Sequence, residues 1–351
     1  MESLEYTTEF LELDPEPSFL VQSGVIVYAN DAARKRMIEP QQEVLPLLCT
    51  GIREYSSFSK GQLSLQLCVA GTNYDAQVSD CGDHHLFRIL LPSSNAQLQT
   101  LALAAQELRQ PLANLLSISG QLFPNMPEHS VQTGQFNRGL HQLLRIVSNM
   151  SDTYHYSIQT APVLETVDFC AIFREILEKA QVHLSASKKQ LTYTLPQHAV
   201  FGLADPELLS RAAYNLLSNA AKFSDDGGCI HVKLSATENM LFFCVSDNGE
   251  GLGGKTDVFN RYCRAPGIED GRLGLGLGME IVRCAAVAHG GTVLMESQEG
   301  QGLRITMTIR IKNEDASTVR SPVLKFDSLG GMDLGLIQMS DALDANAYIP
   351  E

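Results

Sequence analysis

Between Asp205 and Val282 three polar motifs follow one another, each placed where a helix or strand pattern begins or ends. The first, DPELLSRAAYNLLSNAAKF (205–223), has the apolar spacing of a helix and sets Asn215 and Asn219 on one face. An amide carbonyl oxygen is a hard donor suited to Mg2+, which otherwise keeps waters and phosphate oxygens. Lys222, on an adjacent face, is placed to reach a phosphate. The second motif, DNGEG (247–251), directly follows the strand-like run MLFFCVS. An Asp at a strand end can accept a hydrogen bond from an adenine amino group, and Gly249 and Gly251 let backbone approach a base closely. The third, GLGLGMEIV (274–282), puts Gly274, Gly276 and Gly278 at the start of a helix, where N–H groups and the helix dipole favour an anion. Singly, each also fits a capped helix or a tight turn; their order and spacing together carry the reading.

The motifs lie in a segment, 165–313, that mixes both periodicities. Helices are expected at DFCAIFREILEKAQVHLSA, at the first motif and at MEIVRCAAVAHGG. Strands are expected at QLTYTLP, CIHVKLSA, MLFFCVSD, GTVLMES and LRITMTIRI. This predicts an α/β sandwich with helices on one sheet face.

Ahead of it, residues 94–160 change to a helical period. Leu98, Leu101, Ala105, Leu108, Leu112, Leu115, Ser119 and Leu122 form one seam, and Phe136, Leu140, Leu143, Val147, Met150 and Tyr154 a second, with FPNMPEHS between them. Two such helices make an αα-hairpin that buries little alone, so two copies are expected to form a dimeric four-helix bundle. Residues 1–93 read as a small mixed domain: FLVQ and VIVYA split by Ser-Gly, a short helix from Asn30-Asp31, then three strand-like runs. His84 and His85 read as a solvated turn. Residues 314–351 are expected to be a partly disordered tail without a motif, apolar enough at its end to dock somewhere.

Composition excludes several classes. The net charge of −14 speaks against nucleic acid and anionic membrane surfaces, both of which call for clustered Lys and Arg. No run of about eighteen apolar residues occurs, so no membrane insertion is expected, and a cytoplasmic location follows by default. The eight cysteines are scattered without metal spacing and read as reduced, buried small hydrophobes.

The three motifs resemble the N box and two glycine boxes of the GHKL ATP-binding fold, found in histidine kinases, gyrase and MutL-type proteins. FNRYCR (259–264), between the glycine boxes, resembles the F box of histidine kinases. The resemblance implies ATP and Mg2+, with Asn219 on the metal, Asp247 on adenine, Asn215 and Lys222 near the phosphates, and 259–278 as a lid. Hydrolases of this fold carry a Glu four residues before the first N-box Asn; here that position is Arg211, which cannot act as a base near neutral pH.

The N-terminal domain resembles a PAS sensor, a generic α+β domain being the alternative. Over residues of about 15–312 the layout resembles a cytoplasmic sensor histidine kinase: PAS-like input, dimerising hairpin, ATP domain, in all a multidomain α+β chain. In that family the first hairpin helix carries SHELRTPL or a close variant. Here AQELRQPL (105–112) puts Gln106 at the phosphoacceptor position and Gln110 where a Thr or Asn supports phosphatase activity. An imidazole nitrogen can attack a γ-phosphoryl group while the adjacent Glu takes its proton; a carboxamide nitrogen, delocalised into its carbonyl, is a poor nucleophile. Glu107 is a relic or keeps a hydrogen-bonding role. Gln110 either orients a hydrolytic water or is an exposed helix former. Pro111 is expected to kink the helix. His141 and His155 sit beside the second seam and read as solvated. The expected function is an ATP- and Mg2+-binding pseudokinase-type regulator in two-component signalling, with a response regulator or partner kinase as its partner. The alternative is an enzyme that phosphorylates a His on a partner or dephosphorylates a response regulator.

Overall fold

The computed structural model describes residues 8, 11–91, 95–122, 130–157, 162–224, 227–249, 251, 277–297, 302–312 and 332–349. The F-box stretch, Gly274, Gly276, Cys263 and the interhelical FPNMPE fall outside the described residues, as do the side chains of Leu98, Leu101 and Leu122.

The N-terminal domain is an antiparallel sheet of β1 (Ser18–Gln22), β2 (Val25–Ala29), β3 (Gln62–Val69), β4 (Thr72–Asp80) and β5 (His85–Leu90), in the order β2-β1-β5-β4-β3. The β-rich runs anticipated from sequence are these strands. Two short helices, α1 (Asp31–Arg34) and α2 (Ile52–Ser56), cover it. Asn30 explains the local turn: its Oδ1 accepts from the N–H of Ala33 and of Ser18, and its Nδ2 donates to the carbonyls of Leu11, Asp14 and Glu16. One amide thus caps the helix and ties down the entering chain. Phe19 and Phe87 stack at 4.8 Å in the core. His85 is half-buried, with Nδ1 3.2 Å from the Tyr55 hydroxyl and its ring edge-on to Phe58, so it is no solvated turn residue.

Two long helices follow, α3 (Asn95–Leu122), which runs through Pro111, and α4 (Ser130–Ser157). They pack on each other as a hairpin, and the sequence seams divide between two faces. Ala105, Ser119, Leu140 and Val147 are buried, whereas Leu108, Leu115, Phe136 and Leu143 remain about half exposed, at 54%, 48%, 50% and 48%.

The third unit runs β6 (Glu165–Asp168), α5 (Phe169–Ala186), β7 (Gln190–Thr194), β8 (Phe201–Ala204), α6 (Pro206–Phe223), β9 (Cys229–Ala236), β10 (Met240–Asp247), α7 (Leu277–Ala288), β11 (Val293–Ser297) and β12 (Leu303–Arg310). Strict alternation in β9 and β10 turns Ile230, Val232, Leu234, Leu241, Phe243 and Val245 inward, against α5 and α6, and Phe173 of α5 stacks on Phe243 at 4.5 Å. β6 and β8 pair separately, and the short β8 gave no signal of its own in the sequence.

Several contacts join these units. The edge strand β3 pairs antiparallel with the edge strand β11, Val293 opposite Ser64 and Met295 opposite Gln62, so ten strands form one sheet. Each edge covers backbone groups the other would leave unpaired. The chain end is also structured: α8 (Leu334–Gln338) and a 3-10 turn at Ala345–Tyr348 pack on α4, α5 and α6. Tyr348 lies 4.8 Å from the His141 ring and buries it, which corrects the expectation of a solvated histidine; His155 is exposed as expected. The cysteines divide likewise: Cys170 and Cys284 are buried, while Cys49, Cys81 and Cys229 are exposed on strand ends and loops.

Candidate functional site

The site is built around α6. Asp205 caps it, accepting from the Leu208 N–H at 3.0 Å, and Pro206 occupies its first turn, where a missing N–H costs nothing. His289 holds the cap from behind: the Asp205 N–H donates to Nε2 at 3.0 Å, and Nδ1, 2.7 Å from the Ala285 carbonyl, must carry the proton.

One face of α6, from Leu208 to Ala221, is apolar and lies on the sheet. The opposite stripe is polar yet also buried: Arg211, Asn215 and Ser218 are 2%, 0% and 0% exposed. A helix buried all round has cover on both sides. Here the second cover is α7 and the chain end, with Asp152 of α4 reaching Arg211.

Arg211 donates from Nη1 to Asp152 Oδ2 on α4 at 2.6 Å and from Nη2 to Glu207 Oε1 at 2.8 Å. Burial would lower its pKa, and these two carboxylates more than offset that, so it is raised. Burial pushes the Asp152 carboxyl up, partly countered by Arg211 and Arg109. The side chain that stands at the hydrolases' base position is therefore a bound cation tying α6 to the hairpin.

Asn215 Nδ2 donates to the Arg211 carbonyl at 2.8 Å. Since that carbonyl can only accept, the amide orientation is fixed and Oδ1 points the other way. A Cβ at Gly278 would sit 2.7 Å from this Oδ1, so the first N-box asparagine and the last glycine of the third motif meet in space. Oδ1 is buried and has no hydrogen-bond partner among the described residues. Asn219, one turn on, is half-buried. Lys222 lies near the C-terminal end of α6, its Nζ 3.4 Å from Asp341 Oδ2.

Asp247 ends β10. Its Oδ1 accepts from the N–H of Gly249 at 3.0 Å and of Leu303 at 3.2 Å; burial raises its pKa and these two donors lower it, leaving it raised. A Cβ at Gly249 would lie 2.1 Å from the Phe223 carbonyl oxygen, so only glycine lets this turn close on the end of α6. Gly251 follows with φ +71°. The geometry thus gathers Asn215, Lys222, Asp247, Gly249 and Gly278 around the C-terminal half of α6.

These residues fit a magnesium nucleotide: an unpaired buried amide oxygen as a hard donor, a lysine for phosphate, and a carboxylate seated at a strand end beside a side-chain-free turn. The hairpin residues stand apart. Gln106, Glu107 and Gln110 are all exposed on α3, and Gln110 Nε2 donates to Asn114 Oδ1 at 3.2 Å. Asp152, which holds Arg211, and Asp341, which holds Lys222, have no motif around them and were not anticipated.

Residues 204–313 match the family described as histidine kinase-, DNA gyrase B-, and HSP90-like ATPase. The sensor histidine kinase YvrG of Bacillus subtilis is 25% identical over 59% of this chain and 37% of its own. The sensor histidine kinase WalK of the same organism is 25% identical over 66% and 36%. An uncharacterized sensor-like histidine kinase of Rhizobium meliloti is 28% identical over 72% and 52%. The chain thus spans about a third to a half of the length of the curated relatives it matches. Among solved structures, full-length ShkA in complex with AMPPNP aligns with a TM-score of 0.48 and 22% identity, covering 62% of this chain and 47% of that one. The mycobacterial sensor histidine kinase MprB aligns at 0.37 and 26%, covering 43% and 100%. Among the described residues no helix is long and apolar enough to cross a membrane. Segment 204–313 accordingly matches the histidine kinase-, DNA gyrase B-, and HSP90-like ATPase family, in a chain whose relatives are sensor histidine kinases.

Proposed function

We propose that this chain is a regulator of two-component signalling that binds ATP with Mg2+ and does not autophosphorylate at the usual position. The observation that carries the reading is a contrast. The nucleotide residues converge, with Asn215 Oδ1 unpaired against Gly278, while the phosphoacceptor position on α3 is an exposed amide, Gln106. In this reading Asn219 offers its amide oxygen to the metal, Asn215 and Lys222 face the phosphates and Asp247 accepts from the adenine amino group. The chemistry available from the bound nucleotide is phosphoryl transfer, and Gln106 lacks the nucleophile to receive it.

Residues 1–93 serve as a PAS-like input domain, 94–160 as the dimerising hairpin and 165–313 as the ATP domain. The half-exposed Leu108, Leu115, Phe136 and Leu143 form an apolar face suited to a second copy, giving a four-helix bundle in a homodimer. The partner is a response regulator or a partner kinase.

A second reading is favoured by Gln110. It lies one turn beyond Gln106, exposed, and its carboxamide can orient a water on a response regulator's phospho-aspartate, making the chain a phosphatase. Phosphorylation of a histidine on a partner is the other enzymatic outcome.

The test uses γ-labelled ATP on the native chain and on Gln106→His. No acid-labile label on the native chain and label on the variant is the expected pair. Label on the native chain refutes the reading. A native chain that accelerates loss of phosphate from a phosphorylated response regulator, with Gln110→Ala inactive, establishes the second.

A further inference from the structure

The chain end touches the nucleotide residues themselves. Asp341 is the common anion of two cations from different units: Arg145 of α4, in close ion-pair contact, and Lys222 of α6, at 3.4 Å. Three residues earlier, Gln338 Oε1 accepts from Asn215 Nδ2 at 3.4 Å. Gln338 is fully buried.

The rest of the segment is fastened around these two contacts. Asp333 caps α8 and pairs with His183 Nε2 at 3.2 Å. Arg138 Nε and Gln142 Nε2 donate to the Ser340 carbonyl at 3.1 and 3.3 Å, and Asn137 Nδ2 donates to the Tyr348 carbonyl at 3.0 Å. Ile337 packs on Leu144, with Leu112 and Leu116 of α3 beside them, about two to three turns past Gln106. The segment therefore fills the space between the hairpin and α6. The groove beneath it is lined by Arg138, Arg145, Lys222 and His183, a basic concentration in a chain of net charge −14.

The contact is also imperfect in a telling way. Asn215 Oδ1, Ser218 Oγ, Arg145 Nε, Gln338 Nε2 and Ser340 Oγ are buried there with no hydrogen-bond partner among the described residues. Each such group carries a desolvation cost that a permanent interface avoids. A surface built to stay closed would be better paired; here the buried Ile337, Met339, Leu343 and Tyr348 sit beside ion pairs and unsatisfied amides.

We infer that residues 332–349 are a tethered competitor for the nucleotide, with the Asp341 carboxylate standing in for a phosphate between Lys222 and Arg145 and Gln338 seated against the Nδ2 of Asn215. The inference rests on the nucleotide reading given above and adds to it a further phosphate-facing residue, Arg145, contributed by the hairpin. Binding of magnesium ATP and docking of the segment exclude each other, so nucleotide arrives only when the chain end leaves. A segment docked about nine-tenths of the time weakens the apparent affinity about tenfold, because affinity scales with the competent fraction.

Calorimetry with magnesium ATP on the full chain compares the native protein, Asp341→Asn, which removes the anion and little else, and Ile337→Asp, which undocks the segment through its apolar anchor. Both variants are expected to bind about tenfold more tightly. Amide exchange on the native chain reads the other side: residues 332–349 are expected to lose protection when nucleotide saturates. Equal affinity in all three proteins, or a segment as protected with nucleotide as without it, overturns the inference while leaving the nucleotide site standing. If none of the three binds ATP, the nucleotide assignment fails, and the competitor with it.

Discussion

Gly61→Ala tests whether the fused sheet is a real joint. Gly61 precedes β3 at φ +99°, a region that side chains rarely adopt, and a Cβ there would lie 2.1 Å from the Met295 carbonyl oxygen and 3.2 Å from its carbon. Both are backbone atoms of β11, so no side chain can rotate aside. The strands must separate by about 1 Å or more, which breaks the ladder from Gln62–Met295 to Ser64–Val293. The strained φ costs about 1–3 kcal/mol and each lost backbone bond a further ~0.5–1.5 kcal/mol, so the joint loses roughly 2–5 kcal/mol. The loss is local, because each domain keeps its own core, Phe19 and Phe87 on one side and Phe173 and Phe243 on the other. Amide exchange by mass spectrometry is the assay. Residues 293–295 exchange faster in the variant, while β4, β5, β9 and β10 stay protected. Unchanged protection at 293–295 refutes the joint; collapse of protection through β4 and β5 refutes the independence of the two cores.

Three further outcomes follow from the site and its surroundings. Asp247→Asn keeps Oδ1 as acceptor for Gly249 and Leu303 but presents an amide to adenine, so ATP affinity falls at least about tenfold with little change in melting temperature, as read by calorimetry and thermal unfolding. Leu108→Asp with Leu143→Asp charges the uncovered hairpin face and turns a dimer into a monomer in sedimentation; an unchanged mass sinks the bundle. Burial lowers the pKa of His289, and of His141, below the ordinary 6.5. Their stabilisation is complete above 6.5 and is lost as pH falls below it, since the unfolded chain then takes up protons that the native one refuses. Urea unfolding at pH 7.5 and 5.5 reads this, and His289→Gln flattens the difference; an identical pH slope in the variant removes His289 from the account.

What could be read from the sequence was what periodicity and local motif encode. The alternation in CIHVKLSA and MLFFCVSD gave β9 and β10, and the three-and-four seam gave α3 and α4. Asn215 and Gly278 were named from separate motifs, and the fold brings them into contact. Burial was harder. The His141 neighbourhood on α4 is polar enough to look solvated, and what covers it, Tyr348, comes from the far end of the chain. The pairing of β3 with β11 runs through backbone groups, which every residue carries alike, so no side-chain pattern announces which edges meet. The partners of Arg211 were hidden for the same kind of reason. Arg211 was visible as a departure from a base position, but Asp152 lies on another unit and has no motif.

One helix of the third unit, α7, meets both the N-terminal domain and the N-box asparagine. α7 opens with Gly278 against Asn215, and its next turn carries Glu280 and Arg283. Arg283 donates to Glu280 at 2.8 and 2.7 Å and its Nη1 lies 2.5 Å from Asp75 on β4 of the N-terminal domain. A guanidinium this deep in the protein stays charged, and removing one of these partners would leave that buried charge uncompensated. Arg283 lies five residue steps along the helix from Gly278, about 7.5 Å of rise. A helix that short does not absorb displacement by bending. Any shift of the N-terminal sheet that Arg283 follows must therefore press Gly278 toward Asn215 or draw it away. On its other side the same asparagine meets Gln338 of the chain end. Its complete burial, unusual for an amide, is the result: one side chain lies between a helix anchored to the first domain and a segment supplied by the last residues.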